Sequence, residues 1–310
     1  VVVARVTPAD KLRIASALQA RGHVVAMTGD GVNDGPALRQ ADIGIAMGAS
    51  GTDVAREAAD LVLLDDHFAT IVKAVGLGRA TFFDIRRFLT YHLTDNVAEL
   101  VPFVAWALTG GSLPLAIGVL QVLALDVGTD LLPALALGAE PPHRDLLQRH
   151  PPRGHLIDPH VLLRAFGVLG PTEALMSMTA FVVVLTMGGW SYGDKPGPEL
   201  LAVASGTTFA AIVLGQLANA FAVRSTVLPA WRLDPRTNPL LLGAVAIEAV
   251  MLVVFLTVPP LPEVLGGAWP TQTGWVMALL TMPVVVLVDA TAKSMRRRPA
   301  PTPQLDPDAT

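Results

Sequence analysis

The chain has 310 residues, 52% of them hydrophobic and only 15% charged, with a formal net charge of −4 and a mean hydropathy of +0.52. A soluble domain carries about 25% charged residues, so most of this chain is expected in lipid, and no nucleic-acid partner is expected. Cysteine is absent, which excludes disulfides and thiolate metal sites.

No signal peptide is visible: Val1-Val2-Val3-Ala4-Arg5 opens without Met and without a charged region before an apolar core. It reads as the middle of a strand, so the parent's amino terminus is expected upstream. Residues 1–78 read as alternating α/β. Thr7 caps a helix with Pro8 at its first position and Asp10 three residues after the cap, and Gly22 is its stop. His23 to Met27 reads as a strand, Asp34 to Ala41 as a helix, Ile43 to Met47 as a strand, Thr52 to Ala59 as a helix and Leu61 to Leu64 as a strand. Apolar strands separated by helices imply a parallel sheet covered on both faces.

Arg79 to Tyr91 is a basic and aromatic helix continuous with the first of six apolar stretches, at residues 90–109, 115–138, 161–188, 200–222, 239–258 and 273–292. Each approaches or exceeds the ~20 residues that cross hydrocarbon. Basic residues gather in alternate connections. Arg144, Arg149, Arg153 and Arg164 follow the second stretch, Arg224, Arg232 and Arg236 the fourth, and Lys293 with Arg296-Arg297-Arg298 the sixth, against Lys195 alone on the other side. That asymmetry places both ends of the chain in the cytoplasm of a multi-pass cell-membrane protein. The division is therefore 1–78 α/β, 79–89 linker helix, 90–298 six spans and 299–310 a Pro-rich disordered tail. Trp106, Trp190, Trp269 and Trp275 stand near span ends, where aromatic belts are expected. His143, His150, His155 and His160 are irregularly spaced in one loop and read as solvated.

Thr28-Gly29-Asp30-Gly31-Val32-Asn33-Asp34 lies where the His23–Met27 strand ends. Ligands bind at the carboxyl ends of strands in open parallel sheets, and the glycines let the backbone come close to one. Asp30 can hold Mg²⁺, a hard cation that takes oxygen ligands and phosphate partners. Asn33 and Asp34 open a helix whose free N–H groups favour an anion, and Lys11 can bring positive charge to a transferring phosphoryl group.

Here the chain resembles the P-type cation-transporting ATPases. The family's hinge motif reads TGDGVNDAPALK; this chain reads TGDGVNDGPALR at Thr28–Arg39, followed by Ala41-Asp42-Ile43-Gly44-Ile45-Ala46-Met47-Gly48 and Gly51-Thr52-Asp53-Val54-Ala55. The resemblance runs from Val3 to about Arg298. It implies a partial phosphorylation domain of the HAD-like α/β class followed by an all-α domain of six transmembrane helices, the family's spans five to ten. It implies Asp30 as the Mg²⁺ ligand, Lys11 and Asn33 in contact with phosphate, and Asp34 completing the phosphorylation site. The family's phosphorylated aspartate stands in a DKTGT motif, which these 310 residues do not contain; neither do they contain TGES. The family also binds ATP mainly through an upstream domain. The chain is thus expected to be the carboxyl-terminal part of a pump, inactive alone, with the amino-terminal part as its partner. The alternative expectation is a non-catalytic truncated membrane protein that serves as a scaffold or subunit.

Ionisable residues within spans mark function. The first span holds Asp95, Asn96 and Glu99, and Asn96 and Glu99 are three apart on one helical face. The second holds Asp126, Thr129 and Asp130, with no Lys or Arg in either span. Pro102 and Pro133 free the carbonyls of Ala98 and Thr129 beside these carboxylates, and Gly128 loosens the second helix. Interrupted helices with free carbonyls bind cations in transporters. By resemblance, Asn96, Glu99, Asp126, Thr129 and Asp130 hold the transported cation, whether Na⁺, K⁺, Ca²⁺ or H⁺. Tyr91, Gln216 and Glu248 are similar to an additional cation site of the sodium/potassium pump, from which Asn219 departs. Glu173 is intramembrane too, but the family has no ligand at that place. Asp289 and Lys293 are four apart and read as an ion pair.

Overall fold

The computed structural model describes residues 6–142, 146–148 and 155–296. The opening strand, Arg144, Arg149, Arg153, His143, His150, Arg297, Arg298 and the tail 299–310 lie outside the described residues. The chain divides into two units. One holds the residues up to Arg79 with 146–148, and the other begins at Ala80.

The first unit is built on a parallel sheet of three strands in the order β1 (Ala26–Gly29), β2 (Ile43–Met47), β3 (Leu61–Leu63). Ala26 stands opposite Ile43 and Gly29 opposite Ala46; Ile45 stands opposite Leu61. Helix α1 (Pro8–Gln19) starts as its sequence dictates. Asp10 N–H donates to Thr7 Oγ1 at 3.3 Å, and Thr7 N–H donates back to Asp10 Oδ2 at 3.1 Å. Helix α2 (Gly35–Gln40) and α3 (Asp53–Ala58) pack Leu38 and Ala55 against Ala46, with Met27, Ala58 and Ala59 at the margin. α2 lies so close to β2 that a side chain at Gly44 would come within 2.6 Å of Leu38 O. Asp66, at φ 52, accepts from the N–H groups of Gly48, Ala49 and Ser50 at 2.7, 3.1 and 2.7 Å and so shapes the turn after β2.

Helix α4 (Phe68–Leu108) is one continuous element of 41 residues with Pro102 inside it. It starts earlier than Arg79 because Gly76 and Gly78 do not break it; Gly76 faces Leu147 at 3.7 Å.

The second unit is helical. Among the described residues, five helices are long and apolar enough to cross a membrane: α5 (Val119–Leu137), α6 (Pro159–Met187), α7 (Pro198–Val223), α8 (Pro239–Thr257) and, after the short α9 (Leu261–Leu265), α10 (Gln272–Arg296). The part of α4 expected to span is not among them, since His92, Asp95, Asn96 and Glu99 dilute its apolar run. α5 and α6 each contain a widened π stretch, at Ala124–Asp130 and Ala165–Leu169. α7 is the centre: its apolar stretch is 78% buried, against 22–50% in the other four. The core joins Ala210, Ile212, Val213 and Leu217 of α7 to Leu125, Leu252 and Ala278, while α8 turns Leu240, Ile247, Val250 and Val253 outward. An outward apolar face with its backbone satisfied within the helix suits lipid. Among the tryptophans, Trp190 is buried, with its indole N–H on Asp194 O at 2.8 Å, whereas Trp106 and Trp269 are exposed.

One end of α7 is tied by cations. Arg164 and Lys293 both donate to Ala222 O, at 3.0 and 2.9 Å, and both pair with Asp289, Arg164 at 2.7 Å. Arg224 grips Glu140 at 2.7 Å and Thr237 at 2.7 Å, while Asn238 reaches Ala136 O at 2.9 Å. Arg87 donates to Arg224 O at 3.0 Å, and Arg86 pairs with Asp158 at 2.6 Å. Cations at a helix carboxyl terminus satisfy carbonyls that have no partner in the helix and complement its dipole. Removing one member of a buried ionic group strands the others, at a cost of about 3–5 kcal/mol. Asp289→Ala is therefore expected to lower the thermal unfolding midpoint of the detergent-solubilised protein markedly, while an exposed change such as Ser294→Ala leaves it in place.

Candidate functional site

Two groups of residues carry chemistry, one in each unit. In the first unit, β1 delivers Thr28-Gly29 into a turn, and Val32–Asp34 forms one 3-10 turn before α2. Asp34 is buried, and Gly29 makes room for it: a side chain there would come within 2.5 Å of Asp34 Cβ. Lys11 Nζ donates to Asp34 Oδ1 at 2.7 Å. The N–H groups of Asp30 and Gly31 point to Asp34 Oδ2, each at 3.4 Å. Burial works against the ionised carboxyl of Asp34, but the Lys11 hydrogen bond and charge, with the N–H groups of Gly31 and Asp30, outweigh it. The group is held below the ordinary carboxylate range.

Asp30 and Asn33, by contrast, are exposed, and neither side chain has a hydrogen-bond partner among the described residues. Asp34 is thus the support of the turn and Asp30 its free carboxylate. A single free carboxylate at a strand end suits Mg²⁺, which keeps several waters and takes one or two carboxylates.

In the second unit, the polar side chains of α4 divide by face. Tyr91, Thr94, Asp95, Ala98, Glu99 and Pro102 are buried, and they follow the helical period. Asn96 is exposed and donates to His92 O at 2.9 Å, so it does not join the buried group. Glu99 Oε1 accepts from Gln216 at 3.3 Å, and Asp95 Oδ1 accepts from Asn219 at 3.1 Å. On α5, Thr129 and Asp130 are buried and Asp126 half-buried. Thr129 Oγ1 donates to Leu125 O at 2.9 Å. Asp130 Oδ2 meets His92 Nδ1 at 2.7 Å. Gly128 makes room for α8: a side chain there would stand 2.6 Å from the Phe255 ring.

Nine buried side-chain oxygens in this group have no hydrogen-bond partner: Tyr91 Oη, Asp95 Oδ2, Asp130 Oδ1, both of Glu173, Gln216 Oε1, Asn219 Oδ1 and both of Glu248. Buried polar groups are nearly always satisfied, so a set of acceptor oxygens to which only the Tyr91 hydroxyl brings a proton of its own is a demand for cations or protons. Among the described residues, no three His, Asp or Glu side chains already converge as a metal site. Sequence reasoning left His92, Asp95, Glu173 and Asn219 out of the ligand set. The signal for Asp95 was its i+4 spacing from Tyr91 and Glu99; for Glu173 there was only its presence in an apolar run.

The family description "Cation transporting ATPase, C-terminus" matches residues 114–295. The chain belongs to the P-type cation-transporting ATPases. Among similar P-type pumps, the Calcium-transporting ATPase of Bacillus subtilis (strain 168) is 39% identical over 90% of this chain and 30% of its own length. The Sodium/potassium-transporting ATPase subunit alpha-4 of Homo sapiens is 33% identical over 93% of this chain and 30% of its own length. The chain therefore spans about 30% of the length of these two curated P-type relatives.

The Lys11–Asp34 pair contributes roughly 1 kcal/mol, reduced from the buried range because Lys11 is partly exposed. A depressed native carboxyl stabilises above its unfolded value and ceases to as pH falls through the native one. Asp34→Asn is thus expected to destabilise the first unit at neutral pH, measured by urea unfolding. The deficit should shrink as the pH drops below about 4.

Proposed function

We propose that the chain is the carboxyl-terminal part of an ATP-driven pump that moves cations across the membrane through an aspartyl-phosphate intermediate. The set of nine partnerless oxygens inside an apolar helical unit carries this reading. Such oxygens are costly to bury and are relieved by a bound cation. The free Asp30 carboxylate beside a turn braced by Lys11–Asp34 supplies the other half. Mg²⁺ held there would neutralise charge on a transferring phosphoryl group. Asp30 would be its protein ligand, Asn33 would face the phosphate, and Lys11 would act chiefly by fixing Asp34.

The first unit is read as part of an HAD-like phosphorylation domain. The helical unit is read as six spans, with residues 90–108 of α4 as the first and both ends of the chain in the cytoplasm. Glu99, Asp126, Thr129 and Asp130 would bind the transported Na⁺, K⁺, Ca²⁺ or H⁺, and Tyr91, Gln216 and Glu248 an additional cation. Asn96 would serve if a span from the amino-terminal part of the pump packed over its exposed side. ATP would bind mainly to that amino-terminal part, where the phosphorylated aspartate also stands, so these 310 residues alone would form no phosphoenzyme.

In the full-length protein, Asp30→Ala is expected to abolish phosphoenzyme formation from labelled ATP. Asp130→Asn is expected to weaken the ion's apparent affinity in ATPase assays by about tenfold. Unchanged ion dependence in the Asp130→Asn enzyme would remove Asp130 from the pathway.

A further inference from the structure

Glu173 lies in the interior of the helical unit. It is fully buried, and neither carboxyl oxygen has a hydrogen-bond partner. Its place is built by small residues. α6 packs on α4 at Gly170, where a side chain would come within 2.6 Å of Val97 Cβ, and this brings Glu173 up to the next turn of α4. On the other side α7 offers Gly215, where a side chain would stand 3.3 Å from Glu173 Cγ and 3.5 Å from Cδ. The carboxyl faces that of Asp95. Asp95 holds Asn219 by Oδ1 at 3.1 Å, which leaves Asp95 Oδ2 and Asn219 Oδ1 without partners.

The surroundings offer no countercharge. Among the described residues, the charged or titratable groups of this interior are Tyr91, Asp95 and Glu99 of α4, Asp126 and Asp130 of α5 and Glu248 of α8, while α7 contributes the amides Gln216 and Asn219. Among the described residues, the basic group near them, His92, is taken by Asp130. An oxygen-only set of two carboxylates and an amide selects a hard cation over a soft one.

We propose that Asp95, Glu173 and Asn219 form a cation subsite of their own, which binds an alkali or alkaline-earth ion between α4, α6 and α7. This rests on the pump reading. It adds to that reading a helix, α6, and a ligand, Glu173, outside the resemblance-based set.

The test is equilibrium binding of radiolabelled Na⁺, Rb⁺ and Ca²⁺ to the full-length protein in detergent, with the ion's protection against thermal unfolding as a second readout. Glu173→Gln and Asp95→Asn are each expected to lose one bound ion per molecule or to weaken its binding about thirty-fold or more. The same ion should be affected in both variants. Glu99→Gln should leave that ion bound and affect another. Glu173→Asp keeps the charge on a shorter arm and should bind with intermediate affinity; it decides the matter if the glutamine variant does not fold. Wild-type stoichiometry and affinity in Glu173→Gln and Asp95→Asn would overturn the subsite and leave the pump reading standing. A wild-type protein that binds none of the three ions would overturn the subsite and leave H⁺ as the cargo of the pump reading.

Discussion

Oxygen without hydrogen is the condition around which the helical unit is arranged. A carboxylate taken from water into an apolar interior loses solvation worth several kcal/mol, and only a donor, a proton or a cation restores it. Elsewhere in this unit that requirement is met with care. Asp289 has both Arg164 and Lys293, Glu140 has Arg224 and Asn238, and Asp158 has Arg86. In the middle of the helices the care stops: one oxygen of Asp95 and both oxygens of Glu173 and of Glu248 have no hydrogen-bond partner. Two treatments of buried acid thus stand side by side in one small domain.

Bringing those oxygens near each other takes close helix approach, which the absence of side chains provides. Gly170 admits Val97, Gly128 admits the Phe255 ring, and Gly206 lies where a side chain would be 1.9 Å from Ala268 O. In a membrane, where apolar surfaces gain little by meeting one another, small residues at contacts are the ordinary means of tight packing. The central α7 shows the result, with residues from Ala204 to Ala220 buried without a break. The glycines and the acids therefore belong to one design: the first set the spacing, and the second occupy it.

Much of this was legible in the residues. Thr7-Pro8 and Asp10 announced the start of α1, and the apolar run Ile43–Met47 coincides with β2. The apolar stretches from 115 onward coincide with five helices within a few residues. β1 was displaced, at Ala26–Gly29 rather than His23–Met27, because pairing with β2 recruits the polar Thr28 and Gly29 that an apolar pattern passes over. Helix phase was the subtler failure. Asn96 and Glu99 are three apart, and so are Asn96 and Leu93, but the buried stripe runs through Tyr91, Asp95 and Glu99 at intervals of four. Adjacent residues differ by about 100° around a helix, so the choice between Asp95 and Asn96 needed the packing of α6 and α7. Glu173 could not be read at all, since a lone acid in an apolar run looks the same whether satisfied or not.

The π stretch of α5 has a consequence for the two acids it carries. A π turn accommodates a residue more than an α turn does, and here it extends from Ala124 to Asp130, just ahead of Pro133. Asp126 sits inside the widened coil and Asp130 at its end. Around a helix of ordinary pitch each residue adds about 100°, so the residue that the widened coil takes up sets how the segment after it faces relative to the segment before it. The two acidic side chains thus owe their relative orientation to the widened coil and not to ordinary helical pitch.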